Sequence, residues 1–294
     1  MRALRTSAEP KRSTSFPWAK PLWRFARRFP LPLGGFIILA VFTLAAIGAP
    51  LLAPSDPLKV ELPSMLRPPS ADHLLGTDDL GRDTLSRILY GGRVSLEVAL
   101  ISVSISLGFG LVIGLVTGYR RGWIDTFLMR VMDAILAFPS LVLALAIAAV
   151  LGAKLINAII AIGIVYIPQF ARLARGQVLA VTELEYVKAA RALGASNRRI
   201  ILVHILPNIT TPLVVQITLS VGYAILAEAS LSFLGVGIQP PQPAWGTMLR
   251  TGYPYLEAAP WLAIAPGGAI FLVVMACNFV GDWVQKAFAG TTAK

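Results

Sequence analysis

Three acidic side chains lie inside or beside long apolar runs, where a carboxylate could do chemistry that its neighbours cannot. Glu97 and Glu228 fall within such runs, and Asp133 lies near the start of another. Since an ionised carboxylate is costly in lipid, each should face protein or water. One interpretation is a polar lining for a solute path, with Ser230 and Ser232 beside Glu228. The other is a hydrogen-bond partner between helices or a side chain near the membrane surface. We expect the second for Glu97 and Asp133, and both stay open for Glu228.

Metal and catalytic chemistry find little support in the sequence. It has one cysteine, Cys277, and two histidines, His73 and His204. These exclude an intrachain disulfide and disfavour a zinc site. The phosphate-loop pattern G-x-x-x-x-G-K-[ST] and the catalytic patterns H-E-x-x-H and G-x-S-x-G do not occur. We therefore predict no catalytic residue, metal site or cofactor in this chain. If the chain takes part in active transport, the energy must come from another subunit.

A polar, basic segment, EYVKAARALGASNRRIILVHILPN, interrupts the apolar sequence at residues 185–208 and is called the polar hairpin below. Thr182 and Glu185 match a capping box, which predicts a helix beginning there. Gly194 stands where a left-handed residue would end that helix. The expected contact face recurs at helical spacing and consists of Tyr186, Ala189, Ala190 and Leu193.

A second short helix should complete the polar hairpin. Ser196 or Asn197 can cap it, and we expect it to run from Arg198 to Leu206 before Pro207 restricts it. A helix–turn–helix with a small, alanine-rich face suits docking into a groove on a partner. A solvated loop that merely links two spans is the competing interpretation, and the residues alone do not decide between them.

The surrounding composition is that of a membrane protein. Of 294 residues, 56% are hydrophobic and only 14% are charged, with a mean hydropathy of +0.70. Six apolar runs have about the length that a spanning helix needs. They cover roughly residues 33–53, 94–119, 131–151, 154–171, 209–235 and 261–281. Because lipid leaves backbone groups no other partner, these runs predict an all-α membrane protein with six transmembrane helices.

The distribution of basic residues predicts the orientation and the domain organisation. Nineteen of the 26 Lys and Arg residues fall on one side of the six-span arrangement and seven on the other, which places both termini in the cytoplasm. The net charge of +11 therefore belongs to loops beside the membrane and does not indicate nucleic-acid binding.

The expected segments are a basic tail (1–32), the first span (33–53), an outer linker with an interfacial helix capped by Asp79 or Asp83 (54–93), a core with a cytoplasmic loop at 172–207 (94–281), and a C-terminal tail (282–294).

The polar hairpin resembles the EAA loop of ABC importer permeases, E-A-A-x3-G-x9-I-x-L-P. The alanines, the glycine and the closing pair are matched by Ala189, Ala190, Gly194, Leu206 and Pro207. Lys188 stands where the pattern has Glu, and His204 where it has Ile, although Glu185 lies one turn before Lys188. Residues 75–96 and 227–249 also resemble segments of the C-type permeases of dipeptide and oligopeptide importers.

This resemblance implies a type I ABC importer permease fold, with a coupling-helix hairpin between spans 4 and 5 and a place in a bacterial inner membrane. The residues implied to contact an ATPase are Glu185, Tyr186, Lys188, Ala189, Ala190, Arg191, Leu193, Gly194, Ala195, Leu206 and Pro207. Those suggested to dock a binding protein are Asp79, Arg82, Asp83, Gln239 and Trp245. The implied partners are a second, B-type permease, two cytoplasmic subunits that bind ATP and Mg, an extracytoplasmic solute-binding protein and membrane lipid.

Other functions remain open at this point. Nickel, glutathione, opine-type conjugates and sugars are possible solutes in the same family. An autonomous secondary transporter is a different class, but the inverted repeats typical of that class are not evident. A membrane scaffold that docks some other cytoplasmic protein is a third.

Overall fold

The computed structural model describes the backbone of residues 30–292 and the side chains of residues 31–287. Nine helices of eight or more residues organise this part of the chain. They are α1 (Pro30–Ile47), α2 (Thr84–Arg120), α3 (Trp123–Leu136), α4 (Ser140–Leu151), α5 (Leu155–Thr182), α6 (Glu185–Ala192), α7 (Asn197–Phe233), α8 (Trp245–Gly252) and α9 (Trp261–Thr292). Short helical turns at Ala49–Leu52, Leu62–Ser64 and Tyr253–Tyr255 lie in the connections.

The all-helical membrane architecture is confirmed, with four to five apolar helices of sufficient length among the described residues. Helices α2, α5, α7 and the Trp261–Ala287 part of α9 are each long and apolar enough to cross a membrane. Helices α3 and α4 qualify only as a pair, and the shorter apolar helix Leu31–Ile47 lies within α1. Six complete spans therefore remain a prediction, and residues 1–29 of the expected basic tail lie outside the described part.

The predicted span 131–151 is not one straight helix. Helix α3 ends at Leu136 and α4 begins at Ser140, with a bend of 91° between them. Pro139 lies in this break, where its ring disfavours helical geometry in the residue before it. Two ion pairs attach α3 to α5. The Arg175 guanidinium donates to both oxygens of Asp125, at 2.6 and 2.8 Å, and Arg172 donates to Asp133. Asp133 is thus a partner between helices, as expected.

The outer linker also differs from the prediction. The interfacial helix expected before the second span is continuous with that span in the 37-residue helix α2. Of the two candidate caps, Asp83 fills the position, and its carboxylate accepts from the backbone N–H of Ser86 at 2.8 Å. Asp79, the other candidate, lies 3.6 Å from Arg82. Its neighbour Asp78 bonds Arg82, with 2.7 Å between Oδ2 and Nε, and also lies 3.4 Å from Arg87. The start of α2 is therefore held inside a charged, hydrogen-bonded loop.

The centre of the fold is the contact between α2 and α5. A stripe of glycines on α2 lets the two backbones approach closely. A Cβ added at Gly110 would lie 2.5 Å from the Cβ of Phe170, and one at Gly118 would lie 2.7 Å from that of Val178. Ser106 donates to the carbonyl of Gly163 at 2.7 Å across the same contact. These α2 glycines therefore provide close helix packing.

Candidate functional site

Helix α6, the first helix of the polar hairpin, begins without the predicted capping box. Thr182 is the last residue of α5, and its hydroxyl donates to the carbonyl of Leu179 at 2.9 Å. Leu184 occupies the N-cap position and makes no side-chain cap bond. The capping-box prediction is therefore wrong, because the Thr182 hydroxyl is engaged by the preceding helix. Glu185 still places a negative charge in the first turn, where the helix dipole favours it.

The end of α6 and the start of the next helix follow the predicted pattern. Gly194 has φ +81°, the left-handed conformation in which glycine avoids steric strain. The backbone N–H of Ala195 reaches back to the carbonyl of Ala190 at 3.1 Å, which closes the turn. The Ser196 side chain then accepts from the backbone N–H of Arg199 at 3.4 Å, so Ser196 fills the cap position of α7.

The second helix of the polar hairpin does not stop before Pro207. Residues Ile200–Ile205 form a π-helical segment, and the helix continues as Leu206–Phe233. A proline ring crowds the carbonyl four residues earlier, here that of Val203, and one wide turn relieves this crowding. The predicted stop at Leu206 is therefore wrong. As a result, the polar hairpin is joined to a spanning segment by continuous helix.

Side-chain contacts fasten the polar hairpin to the nearby end of α2. The Glu183 carboxylate accepts from Arg121 at 2.8 Å and from Lys188 at 3.0 Å. Both contacts lower the pKa of Glu183 below its ordinary value, and the contact with Lys188 has the larger effect. The Tyr119 hydroxyl donates to Asn197 at 2.7 Å, and the Arg191 guanidinium lies 5.5 Å from the centre of the Tyr119 ring. The α2 end and both helices of the polar hairpin are therefore connected.

Most of the eleven residues expected to contact an ATPase are accessible. Ala190, Ala195 and Leu206 are half-buried and the other eight are exposed. Leu193 is 88% exposed at the tip of the hairpin. Val187, which the sequence did not single out, is fully buried and anchors α6 to the protein. The hairpin thus has a packed inner side and an open, partly apolar outer side.

The five residues expected to dock a binding protein do not form one exposed group. Arg82 and Asp83 are buried in the loop before α2. Trp245 is buried as well, and its indole N–H donates to the carbonyl of Ile88 at 3.0 Å. Only Asp79 and Gln239 are half-buried. Three of the five therefore stabilise the fold in this structure and offer no surface to a partner.

The structure places Glu228 in a buried, hydrogen-bonded position. This carboxylate is fully buried and accepts hydrogen bonds from Ser95 and Ser232, each at 2.8 Å. Ser232 is buried too, and its hydroxyl oxygen also accepts from the backbone N–H of Ile238 at 3.0 Å. Glu228 is thus a hydrogen-bond partner between α2 and α7. Neither Glu228 nor Ser232 is accessible to a solute here, whereas Ser230 is half-buried and lines a cavity.

Comparison with known proteins gives consistent results along the chain. Residues 110–293 match the family described as the binding-protein-dependent transport system inner membrane component. The dipeptide transport system permease protein DppC of Alkalihalophilus pseudofirmus is 46% identical over 271 residues, which cover 92% of this chain and 89% of that protein. The probable D,D-dipeptide transport system permease protein DdpC of Escherichia coli is 42% identical, covering 95% and 94%.

A relative with another named solute and a solved structure extend the comparison. The glutathione transport system permease protein GsiD of Pectobacterium atrosepticum is 40% identical, with 94% of this chain and 92% of that protein covered. A chain of the inward-facing MetNI methionine ABC transporter superposes with a TM-score of 0.55 at 19% identity. That match covers 67% of this chain and 94% of the other. At that identity the structural similarity concerns the fold.

Proposed function

Because this chain belongs to the family of inner membrane components of binding-protein-dependent transport systems, we propose that it is a permease subunit of an ATP-driven importer for dipeptides or oligopeptides. Relatives named for dipeptide transport, matched over nearly their whole length, support this solute class. Glutathione, itself a short peptide, is the solute named for another relative, and it is the second candidate.

The observation that carries the coupling role is the exposed outer side of a firmly anchored polar hairpin. Val187 fixes its inner side, and Leu193 and Ala189 are open to a partner. In the proposed complex this surface is a coupling helix that contacts one of two ATP-binding subunits, which hold ATP and Mg. Lys188 is already paired with Glu183, so the alanines, Leu193 and Gly194 are the main docking surface.

The proposed mechanism is alternating access, and the helix connections suit it. A displacement of the polar hairpin is passed to α7, which is continuous for 37 residues, and through Arg121 and Tyr119 to α2. ATP can favour one arrangement of the partner ATPases only if it binds that arrangement more tightly than the other. This difference in binding free energy drives the conformational change of the permease pair. The permease pair then opens alternately toward the binding protein and toward the cytoplasm.

The proposed complex also has the number of spans, the orientation and the partner subunits that the sequence predicts. Six spans result if α1 and the bent pair α3–α4 each cross the membrane together with α2, α5, α7 and α9. Both termini and the polar hairpin then lie on the cytoplasmic side. A second, B-type permease supplies the other half of the path, and an extracytoplasmic binding protein delivers the solute. An autonomous transporter would need none of these subunits.

Crosslinking and uptake together test this proposal. In the co-expressed complex, a cysteine at Ala189 should crosslink to an ATP-binding subunit, whereas one at Val112, exposed on α2, should not. Reconstituted vesicles should take up a radiolabelled dipeptide only when ATP and the binding protein are present. Uptake by the chain alone, or the absence of any crosslink from Ala189 in a transporting complex, would overturn the proposal.

A further inference from the structure

A cavity of about 320 Å³ lies between α4, α5 and α7, within the membrane-spanning part of the chain. Five of its lining side chains carry hydroxyl or amide groups, and its other lining residues are apolar. The five are Ser140, Tyr166, Gln169, Tyr223 and Ser230. None of the lining residues is acidic or basic. Polar side chains in spanning helices normally face protein or water, so this concentration of neutral hydrogen-bonding groups on one cavity needs an explanation.

Two of the polar side chains of this cavity, Tyr166 and Gln169, bond groups on α7 and remain partly open. The Tyr166 hydroxyl donates to the carbonyl of Tyr223 at 3.5 Å, a long bond that leaves the hydroxyl oxygen free to accept. The amide of Gln216 donates to that of Gln169 at 3.3 Å. Tyr223 is 51% exposed although it lies in the middle of a spanning helix. These side chains can therefore exchange hydrogen bonds with a molecule that enters.

A larger apolar groove continues from the cavity. It measures about 820 Å³, lies along α4, α7 and α9, and shares Leu141, Leu226 and Ser230 with the cavity. The combined surface offers neutral hydrogen-bonding groups at one end and mostly hydrocarbon at the other. A peptide has the same two parts in its interior, because its backbone amides are polar and uncharged while many of its side chains are apolar. Its charged ammonium and carboxylate termini meet only neutral hydrogen-bonding groups in this cavity.

We infer that the cavity and the groove are this subunit's contribution to the solute path, and that they fit a short peptide with uncharged side chains. The inference rests on the proposed function and names the solute-contacting residues within it. Neutral groups hold a peptide backbone weakly enough for release, as a path requires. Glu228 takes no part, because its carboxylate bonds Ser95 and Ser232 and does not line the cavity.

Thiol labelling tests whether water and solute reach the cavity. Cys277, the only cysteine, is replaced by Ala, and single cysteines are introduced as Ser230→Cys and Gln169→Cys in the reconstituted complex. A small, charged methanethiosulfonate should label both, slow dipeptide uptake at least several-fold and leave ATP hydrolysis in place. Phe109→Cys is the control and should remain unlabelled, because Phe109 is exposed on α2 and lines neither the cavity nor the groove.

Conservative substitutions test contact with the peptide itself. Tyr166→Phe and Tyr223→Phe each remove one hydroxyl from the cavity and should raise the KM for an Ala-Ala dipeptide about threefold to tenfold, the loss of one neutral hydrogen bond. The maximal ATPase rate should stay unchanged. If both positions stay unlabelled and both KM values stay unchanged in a complex that transports, the second permease fills this space and the inference is wrong. A complex without ATP-dependent uptake would instead contradict the proposed function.

Discussion

Gly114 on α2 and Ala174 on α5 bring the two central helices into backbone contact. A Cβ added at Gly114 would lie 2.5 Å from the Cβ of Ala174 and 2.7 Å from the carbonyl oxygen of Ala171. Real side-chain contacts do not occur at such distances, so even alanine would force the helices apart. Six residues earlier on the same helix, Gly108 has no atom within 4 Å of the equivalent position. The chain thus contains its own matched control for close packing.

We expect Gly114→Ala to destabilise the permease by about 1–3 kcal/mol, the usual cost of overpacking a well-packed contact. Gly108→Ala should be neutral or stabilising by up to about 1 kcal/mol, because it only improves helix propensity. The unfolding midpoint of the detergent-solubilised complex measures both. Equal midpoints for the two variants would show that the contact between α2 and α5 is looser than the structure indicates.

The turn of the polar hairpin allows a different kind of test, since Gly194 has open space but a left-handed backbone. Gly194→Ala should cost about 1–2 kcal/mol through backbone strain alone and should reduce coupled uptake. Gly194→Asn should restore part of the loss, because asparagine tolerates this conformation better than alanine does. Gly176→Ala, at an exposed helical position, is the control. Uptake and ATPase activity are measured together for each variant. If the Ala and Asn variants behaved alike, backbone strain at Gly194 would not be the cause of the loss.

Local signals in the sequence predicted the parts of the hairpin that depend on neighbouring residues. A left-handed end at Gly194 and a cap at Ser196 follow from the conformational preferences of those residues, and both were found. The four to five apolar helices of spanning length among the described residues likewise follow from hydropathy, because lipid acts on every residue of a run. The exposed face of α6 could be predicted from helical spacing alone. Such features need no knowledge of distant parts of the chain.

The features that sequence reasoning missed depend on contacts distant in the chain or on competition between local options. Trp245 was expected to dock a binding protein, but it packs against Gly91 and Gly92 of α2, about 150 residues away. Thr182 looked like a cap, but it belongs to the preceding helix. Pro207 looked like a stop, but a π-helical turn accommodates it. Periodicity alone carried no signal for any of these outcomes.

The ion pairs of Glu183 predict a pH dependence for the polar hairpin. Its pKa lies below the ordinary value of 4.5, so the folded state favours the ionised carboxylate. The resulting contribution is complete above about pH 4.5 and is lost as the pH falls through the lowered pKa. A spin label on Ala192→Cys, in a chain whose Cys277 is replaced by Ala, should therefore keep constant mobility from pH 8 to pH 5 and gain mobility at lower pH.

The matched variant for this test is Glu183→Gln, which cannot ionise. It should show the higher mobility at every pH, because neither Arg121 nor Lys188 retains a carboxylate partner. Lys188→Gln should give an intermediate result, since Arg121 still pairs with Glu183. A mobility that rises between pH 8 and pH 6, or a Glu183→Gln variant identical to the parent protein, would show that these pairs do not hold the hairpin.

Glu228 provides the clearest separation of a structural acid from a solute-contacting one. Glu228→Ala removes the acceptor of the Ser95 and Ser232 hydroxyls and should destabilise the complex by about 1–3 kcal/mol, because buried donors lose their partner. Glu228→Gln keeps one acceptor oxygen and should lower the unfolding midpoint less. Neither variant should change the KM for a dipeptide more than about twofold, since an effect below about 0.5 kcal/mol is expected for a group without solute contact.

Ser230→Ala is the comparison, because that side chain lines the cavity and its removal should raise KM with little change in the unfolding midpoint. A KM that rises for Glu228→Gln while the midpoint stays constant would return Glu228 to the solute path.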